Sequence, residues 1–411
     1  MKYILVIGDG MADNPVPELD GKTPLEAAVK PHIDRLAACG VLGSVLTVPE
    51  GFPPGSDTAI MSIFGCDPHS CYSGRAPLEA AAQGIALEPG DAAYRCNNVT
   101  LTDDASIPFA HKSIISHSAG GLSGTQGAEL VDYLFAHPAF KALSDRAGMR
   151  VYPTESYRHI AVQKQADIRR LALAPPHDHI GERVAANLPR GCAAAETLTG
   201  LMAKANALLQ DHPFNRARRQ AGKLPGNAIW FWAGGTEARL PSFTGQYGKT
   251  GAVISAVPLC HGIARLTGLD VITVDGVTGE LDTNYEGKVE AALEALGTRD
   301  FVAVHLEGPD ECTHCGDLKG KLRAIAWLDS RVVGPLCEAL KAKGEPFRML
   351  ILSDHKTLTS NRQHDGSPVP YILYDSTGIS PAGLPYSEKN GLKGPFLPAG
   401  TDLMPALFGL T

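Results

Sequence analysis

The sequence has no apolar stretch of the ~18 residues that a membrane-crossing helix needs. It also has no block of lysine and arginine of the kind that grips nucleic acid. With a formal net charge of −7, membrane and nucleic acid are both set aside as partners. The opening segment is not expected to act as an export signal, because its apolar run ends at Ile7 and Asp9 and Asp13 follow at once. No G-X-Y period runs through the glycines, which excludes collagen-like and repeat architectures. No second C-x2-C accompanies Cys312-Thr313-His314-Cys315, so a four-cysteine zinc knuckle is not expected. The 9 cysteines are odd in number and scattered, which fits a reducing compartment and predicts a cytoplasmic protein. A Walker-type or kinase-type glycine loop is missing as well.

What is present reads as a large α/β protein. Hydrophobic residues make up 44% and charged residues 20% of 411, enough for a substantial core. The length suggests two domains, or one domain carrying an insertion, and 44 glycines with 30 prolines imply many turns. Residues 2–7, 41–47, 227–232, 269–274, 301–306, 347–352 and 369–374 read as strands. Helical runs at 31–39, 286–297 and 317–343 lie between them. Between 79 and 224 the texture differs: a strand at 93–101, a glycine-rich turn region at 116–127, and helical runs at 128–146 and 193–211. Residues 72–78 read as a loop. Because the chain starts and ends in βαβ texture, the sequence predicts a discontinuous core, 1–78 with 225–411, and an inserted α+β cap at 79–224.

The chemistry-bearing residues follow the predicted core strands. Asp9 follows the first strand. Asp310 and His314 follow 301–306, Asp354 and His355 follow 347–352, and His364 precedes 369–374. Ser56 opens a helix beside the first strands, where backbone N–H groups favour an anion; alone, it equally suits an ordinary helix cap. Parallel strands bring their C-terminal ends to one edge, so these groups can converge. Carboxylates and imidazoles form a donor set suited to Zn²⁺ or Mn²⁺. Seven groups exceed one four-coordinate ion and match two ions about 3.5–4 Å apart, the arrangement that clamps a phosphoryl transfer. Cys312 and Cys315 are read as neighbours of His314, not as ligands. His117, Arg158, His159 and Lys249 are candidates for holding an anion, the arginine through its planar fork, and equally suit surface charge and turns.

The segments GDGMAD, PPGSDTA, GRAPLEAA, SYRH, NAIWFW, GAVISAVPL, LDTNYEGK, EGPDECTH and SDHKT resemble the archaeal-type, cofactor-independent phosphoglycerate mutase family. That family belongs to the alkaline phosphatase superfamily, and the resemblance spans nearly the whole chain in order. It implies an alkaline-phosphatase-like, largely parallel sheet core with an inserted cap. It implies two divalent ions, Mn²⁺ or Zn²⁺, and no 2,3-bisphosphoglycerate. Asp310, His314 and His364 would hold one ion, and Asp9, Ser56, Asp354 and His355 the other. Ser56 would accept the phosphoryl group of a small phosphorylated carboxylate, 3-phosphoglycerate, and return it to give 2-phosphoglycerate. Asp57, His117, Arg158, His159 and Lys249 would bind substrate. A closing cap would exclude water, with hinges near 76–80 and 222–228. The resemblance is compatible with a monomer or weak homo-oligomer. Bacterial relatives in the same subgroup include proposed homoserine kinases, so a homoserine kinase-like phosphotransferase and a metal-dependent phosphatase are the alternatives. Dispersed ligand residues would instead point to a non-catalytic protein.

Overall fold

The computed structural model describes residues 1–378 and 382–410. It divides the chain into two compact units, one made of Met1–Tyr72 and Arg239–Thr411, the other of Ser73–Ala238.

The first unit is built on an eight-stranded sheet. Across the sheet the strands run Phe396–Leu397, Val41–Val45, Val369–Asp375, Phe347–Leu352, Lys2–Gly8, Phe301–Leu306, Gly251–Ile254 and Asp270–Ile272. Every neighbouring pair is parallel except the two that involve Val369–Asp375, which runs against the rest. The central strands are almost wholly buried. Strands covered on both faces read as continuous apolar runs, as in YILVI and MLIL, not as alternating ones. Helices cover the sheet, among them Pro31–Cys39, which starts on a proline and ends at Gly40, and Tyr285–Thr298, whose start is capped by Asn284. The helical region at 317–343 is interrupted, as Leu318–Leu328 passes through a π-helical segment, Asp329–Val333, into Gly334–Ala342.

The reversed strand matters for the site. A strand that runs against its neighbours begins at the edge where they end. Residues just before Val369 therefore lie at the same edge as Asp9, Asp310 and Asp354.

The second unit is antiparallel. Ala92–Leu101 is buried along its whole length and pairs with Arg158–Gln163, Ile114–Ser116 and Ala228–Thr236, while Met149–Tyr152 extends the sheet beyond Arg158–Gln163. Helices Gln126–Ala136, Pro138–Arg146 and Ala193–Leu209 pack with it around Trp230, Phe231, Leu198 and Met202. Four expectations are corrected here. The strand predicted at 227–232 belongs to this unit and not to the parallel sheet. Residues 75–82 form a helix, Arg75–Ala82, with Ala76, Leu78 and Ala80 buried, so the loop read at 72–78 ends at Gly74. The unit therefore begins before residue 79 and ends after 224, at Ser73 and Ala238. The run at 128–146 breaks into two helices because Pro138 lacks the N–H to continue the first.

Among the described residues no helix is long and apolar enough to cross a membrane.

Candidate metal centre and nucleophile

Asp9 follows directly on the central strand Lys2–Gly8, and Gly10 lets the chain turn sharply there. Gly10 has φ +59°, and a Cβ would run into Thr357 and Asp310, so only glycine fits. The Gly10 and His355 N–H groups donate to Asp354 Oδ1 at 3.1 and 2.9 Å. The other Asp354 oxygen, Oδ2, is buried with no hydrogen-bond partner, and so is Asp9 Oδ1. Both face one imidazole nitrogen: His355 Nε2 lies 3.5 Å from Asp9 Oδ1 and 3.3 Å from Asp354 Oδ2. Ser56 Oγ joins this group, 3.1 Å from His355 Nε2 and 3.5 Å from Asp9 Oδ2.

Ser56 is the first residue of the helix Ser56–Ile63. Gly55 takes the cap position, and no side-chain cap bond forms. The Ser56 hydroxyl is thus not used as a cap and is turned toward the acidic group instead.

A second set adjoins the first. Asp310 and His314 are one turn apart on the short helix Gly308–His314, with His314 Nε2 3.2 Å from Asp310 Oδ2. His364 comes from a two-stranded ribbon in which Lys356–Thr357 pairs with His364–Asp365. Its Nε2 lies 3.4 Å from Asp310 Oδ1 and 2.9 Å from His314 Nε2. His355 joins the two sets, since its ligand atom lies within 4.8 Å of those of Asp310 and His364 and also of those of Asp9 and Asp354. His314 Nδ1 donates to the Arg362 carbonyl at 2.9 Å, which turns Nε2 toward Asp310 and His364. Thr357 donates its hydroxyl to Asp310 Oδ1 at 2.5 Å.

The electrostatics are those of a site short of positive charge. Burial, and then the negative charges of Asp354, Asp310 and Glu307, push the Asp9 carboxyl well above the usual range. Burial also lowers His355, which keeps its imidazole neutral and able to ligate. Burial pushes Asp310 up, but hydrogen bonds to His314 and His364 outweigh it and hold this carboxyl below the usual range. Carboxylate oxygens buried without a partner are costly, and a cation among imidazole and carboxylate donors resolves that cost. The residues present fit divalent metal. No cysteine belongs to either ligand group among the described residues. Cys312 is buried, with its thiol pushed up to about 11 by that burial, and Cys315 is exposed.

Comparisons with known proteins show the family of the chain. Residues 37–215 match the family model described as 2,3-bisphosphoglycerate-independent phosphoglycerate mutase. A Methanosarcina acetivorans protein of that name is 45% identical over 393 residues, covering 96% of this chain and 95% of its own. The chain belongs to this family. A Geobacter sulfurreducens protein named as a probable 2,3-bisphosphoglycerate-independent phosphoglycerate mutase is 44% identical over 391 residues, covering 95% of each. Among solved structures, the PH0037 protein of Pyrococcus horikoshii superposes with a TM-score of 0.81 at 30% identity, covering 100% of this chain and 98% of its own. The cofactor-independent phosphoglycerate mutase of Thermoplasma acidophilum superposes with a TM-score of 0.66 at 27% identity, over 100% of both chains.

The remaining residues that sequence reasoning assigns to this mutase-family site are placed unevenly. Asp57 lies next to Ser56, with Oδ2 accepting from the Tyr72 hydroxyl at 2.5 Å and Oδ1 from the Thr58 N–H at 3.0 Å. Lys249 is a correction. Its Nζ lies 5.5 Å from the centre of the Tyr3 ring, and its charge adds to the hydrogen bonds from Thr250 that lower the pKa of Asp300, which precedes the strand Phe301–Leu306. Tyr3 and Asp300 mark the N-terminal edge of the sheet, opposite to Asp9 and Asp310, so Lys249 is a cation resting on an aromatic face away from the cluster. Lys249→Ala is expected to leave kcat and KM within about twofold of the parent enzyme, checked by steady-state kinetics.

In the second unit, His117 and Arg158 come together. The His117 ring lies 5.8 Å from Tyr157 and 5.9 Å from His177. The Arg158 guanidinium lies over Tyr157 and Trp232 at 5.5 and 5.9 Å, and its Nε is buried with no hydrogen-bond partner. Burial, then the Arg158 charge, lowers the His117 pKa. Such a group can take an anion. His177, 5.1 Å from the Trp232 ring, is a member that the sequence did not single out.

His159 differs. It is 0% exposed, its Nδ1 accepts from the Thr154 N–H at 3.1 Å, and its Nε2 meets Asn98 Oδ1 at 2.8 Å. Both nitrogens serve the interior of the unit, so His159 is not placed to touch substrate. Burial pushes its pKa down to about 4. Its folded pKa thus lies below the unfolded value of about 6.5, so on acidification the unfolded chain takes the proton first. The expected result is stability that is complete above about pH 6.5 and falls by up to roughly 3 kcal/mol as pH drops toward 4. Urea melts across that range check it, and His159→Gln should flatten this part of the profile.

Sequence reasoning also missed His305 and Thr357. The available signal was a histidine inside an otherwise apolar buried strand, FVAVHL, since a buried polar residue in such a run needs a partner.

Proposed function

We propose that this chain interconverts 3-phosphoglycerate and 2-phosphoglycerate through a phosphoserine on Ser56, without 2,3-bisphosphoglycerate, in glycolysis and gluconeogenesis. The observation that supports this most is the free Ser56 hydroxyl at a helix start, 3.1 Å from His355 Nε2 and 3.5 Å from Asp9 Oδ2. Asp9, Ser56, Asp354 and His355 would hold one divalent ion, and Asp310, His314 and His364 another, Mn²⁺ or Zn²⁺. When bound, such ions lower the pKa of a ligating hydroxyl and neutralise phosphoryl oxygens.

Ser56 Oγ attacks phosphorus as its proton leaves. The bond from phosphorus to the C3 oxygen breaks, and that oxygen takes up a proton. The C2 hydroxyl of the retained glycerate then attacks the phosphoserine and loses its proton, while the bond to Ser56 Oγ breaks and that oxygen takes up a proton. The N-terminus of Ser56–Ile63 favours the phosphoryl oxygens. His117 and Arg158 would hold the carboxylate or phosphate, which gives Ser73–Ala238 a substrate-binding role beside a catalytic Met1–Tyr72 and Arg239–Thr411. A cytoplasmic location and a monomer or weak homo-oligomer complete this reading.

The test is an enolase-coupled assay on Mn²⁺-loaded protein with no bisphosphoglycerate, run beside assays for homoserine phosphorylation and phosphate release. Product in the enolase-coupled assay is expected. A rate confined to homoserine, or to released phosphate, overturns the reading in favour of a kinase-like enzyme or a phosphatase.

A further inference from the structure

Asp9 has two oxygens in different situations. Oδ1 is buried without a hydrogen-bond partner, whereas Oδ2 meets His305 Nε2 at 3.0 Å and Ser56 Oγ more distantly, at 3.5 Å. His305 is itself buried, and its other nitrogen, Nδ1, lies 3.0 Å from Ser255 Oγ. Ser255 Oγ already accepts from the Val257 N–H at 3.0 Å, so its own proton is free to donate to His305 Nδ1. An ionised Asp9 carboxylate can only accept, so His305 Nε2–H donates to Oδ2, and a neutral ring then accepts at Nδ1 from the Ser255 hydroxyl. The backbone around His305 is pinned too, because the fully buried Lys288 donates from Nζ to the His305 carbonyl at 2.8 Å. A directed chain therefore runs from Val257 through Ser255 and His305 to Asp9.

We infer that His305 is a positioning residue, held by Ser255, which occupies Asp9 Oδ2 and so leaves Oδ1 as the single oxygen this carboxylate offers to a cation. The inference rests on the proposed binuclear site. A carboxylate held on one oxygen keeps its orientation and binds one-handed, and a free carboxylate rotates or chelates. Outer partners of this kind are worth roughly 10–100-fold in metal affinity. His305 touches neither substrate nor ion in this account and acts only through Asp9.

The test is metal titration of the full-length protein, freed of metal and read by competition with a chromophoric chelator, without any activity measurement. The parent chain is expected to take up two Mn²⁺ ions. His305→Leu is expected to bind one of them tenfold or more weakly while the other is unchanged. His305→Gln, whose amide keeps a donor near the Nε2 position, is expected to recover most of the loss, which a purely structural role would not predict. Affinities for both ions unchanged from the parent in His305→Leu overturn the inference and leave the proposed function standing. Uptake of fewer than two ions by the parent chain overturns both. If His305→Leu does not fold, Ser255→Ala carries the test: weakening of one ion alone supports the inference, and unchanged affinity for both overturns it.

Discussion

Ser56→Ala abolishes turnover, with kcat expected to fall by at least ~10⁴-fold. The size follows from the part the hydroxyl plays. Its oxygen is the only atom of the side chain that could bond to phosphorus, and no other hydroxyl lies within hydrogen-bond range of His355 Nε2 among the described contacts. The same substitution should cost little stability. Ser56 makes no cap bond, Gly55 occupies the cap position, and the side chain is only half-buried, so alanine removes neither a cap nor a packed group. Circular dichroism and thermal melting should therefore match the parent protein. A variant that keeps even a few per cent of the rate would move the nucleophile elsewhere.

Removal of metal should be nearly as severe. Dialysis against a chelator is expected to bring activity to background, with recovery on adding Mn²⁺ or Zn²⁺. It should also lower the melting temperature, because Asp9 Oδ1 and Asp354 Oδ2 are then buried with nothing to satisfy them. The loss has a defined pH dependence. In the metal-free fold the Asp9 carboxyl is raised, first by burial and then by Asp354, Asp310 and Glu307. Its folded pKa exceeds the unfolded value of about 3.9, so above about pH 4 the fold binds more protons than the unfolded chain. Stability of the metal-free protein then falls as pH rises through that window. Bound metal keeps the carboxylate ionised and removes this term. The gap in melting temperature between metal-loaded and metal-free protein should accordingly be wider at pH 8 than at pH 5. A gap that narrows with rising pH would contradict the assignment of Asp9 as a ligand.

The residues that the sequence places at strand ends are those the fold brings together, and the reason is topological. Asp9, Asp310, Asp354 and His355 each follow a buried apolar run, and parallel strands deliver such positions to one edge. His364 reaches that edge by a different route, since it precedes a strand that runs in reverse. Local sequence does not encode strand direction, and the same apolar pattern suits either sense. Lys249 shows the opposite outcome. Its position near the return into the core suggests proximity to the site, but the loop it occupies lies at the N-terminal edge, beside Tyr3. His159 was legible as a histidine near an arginine and not as a buried one, because Thr154 and Asn98 saturate it only in three dimensions. Ala228–Thr236 carries an apolar run that fits a parallel or an antiparallel sheet equally, which is why the unit boundary falls after it and not before.

The central claim is that Ser56 carries the phosphoryl group between the two positions of the glycerate. The most direct measurement mixes Mn²⁺-loaded protein with 3-phosphoglycerate, quenches within one turnover in acid, and maps phosphate by peptide mass spectrometry. The account predicts one phosphoryl group on the peptide that contains Ser56, absent without substrate and absent in Ser56→Ala. Turnover with an unmodified Ser56, or with phosphate on another residue, would contradict it.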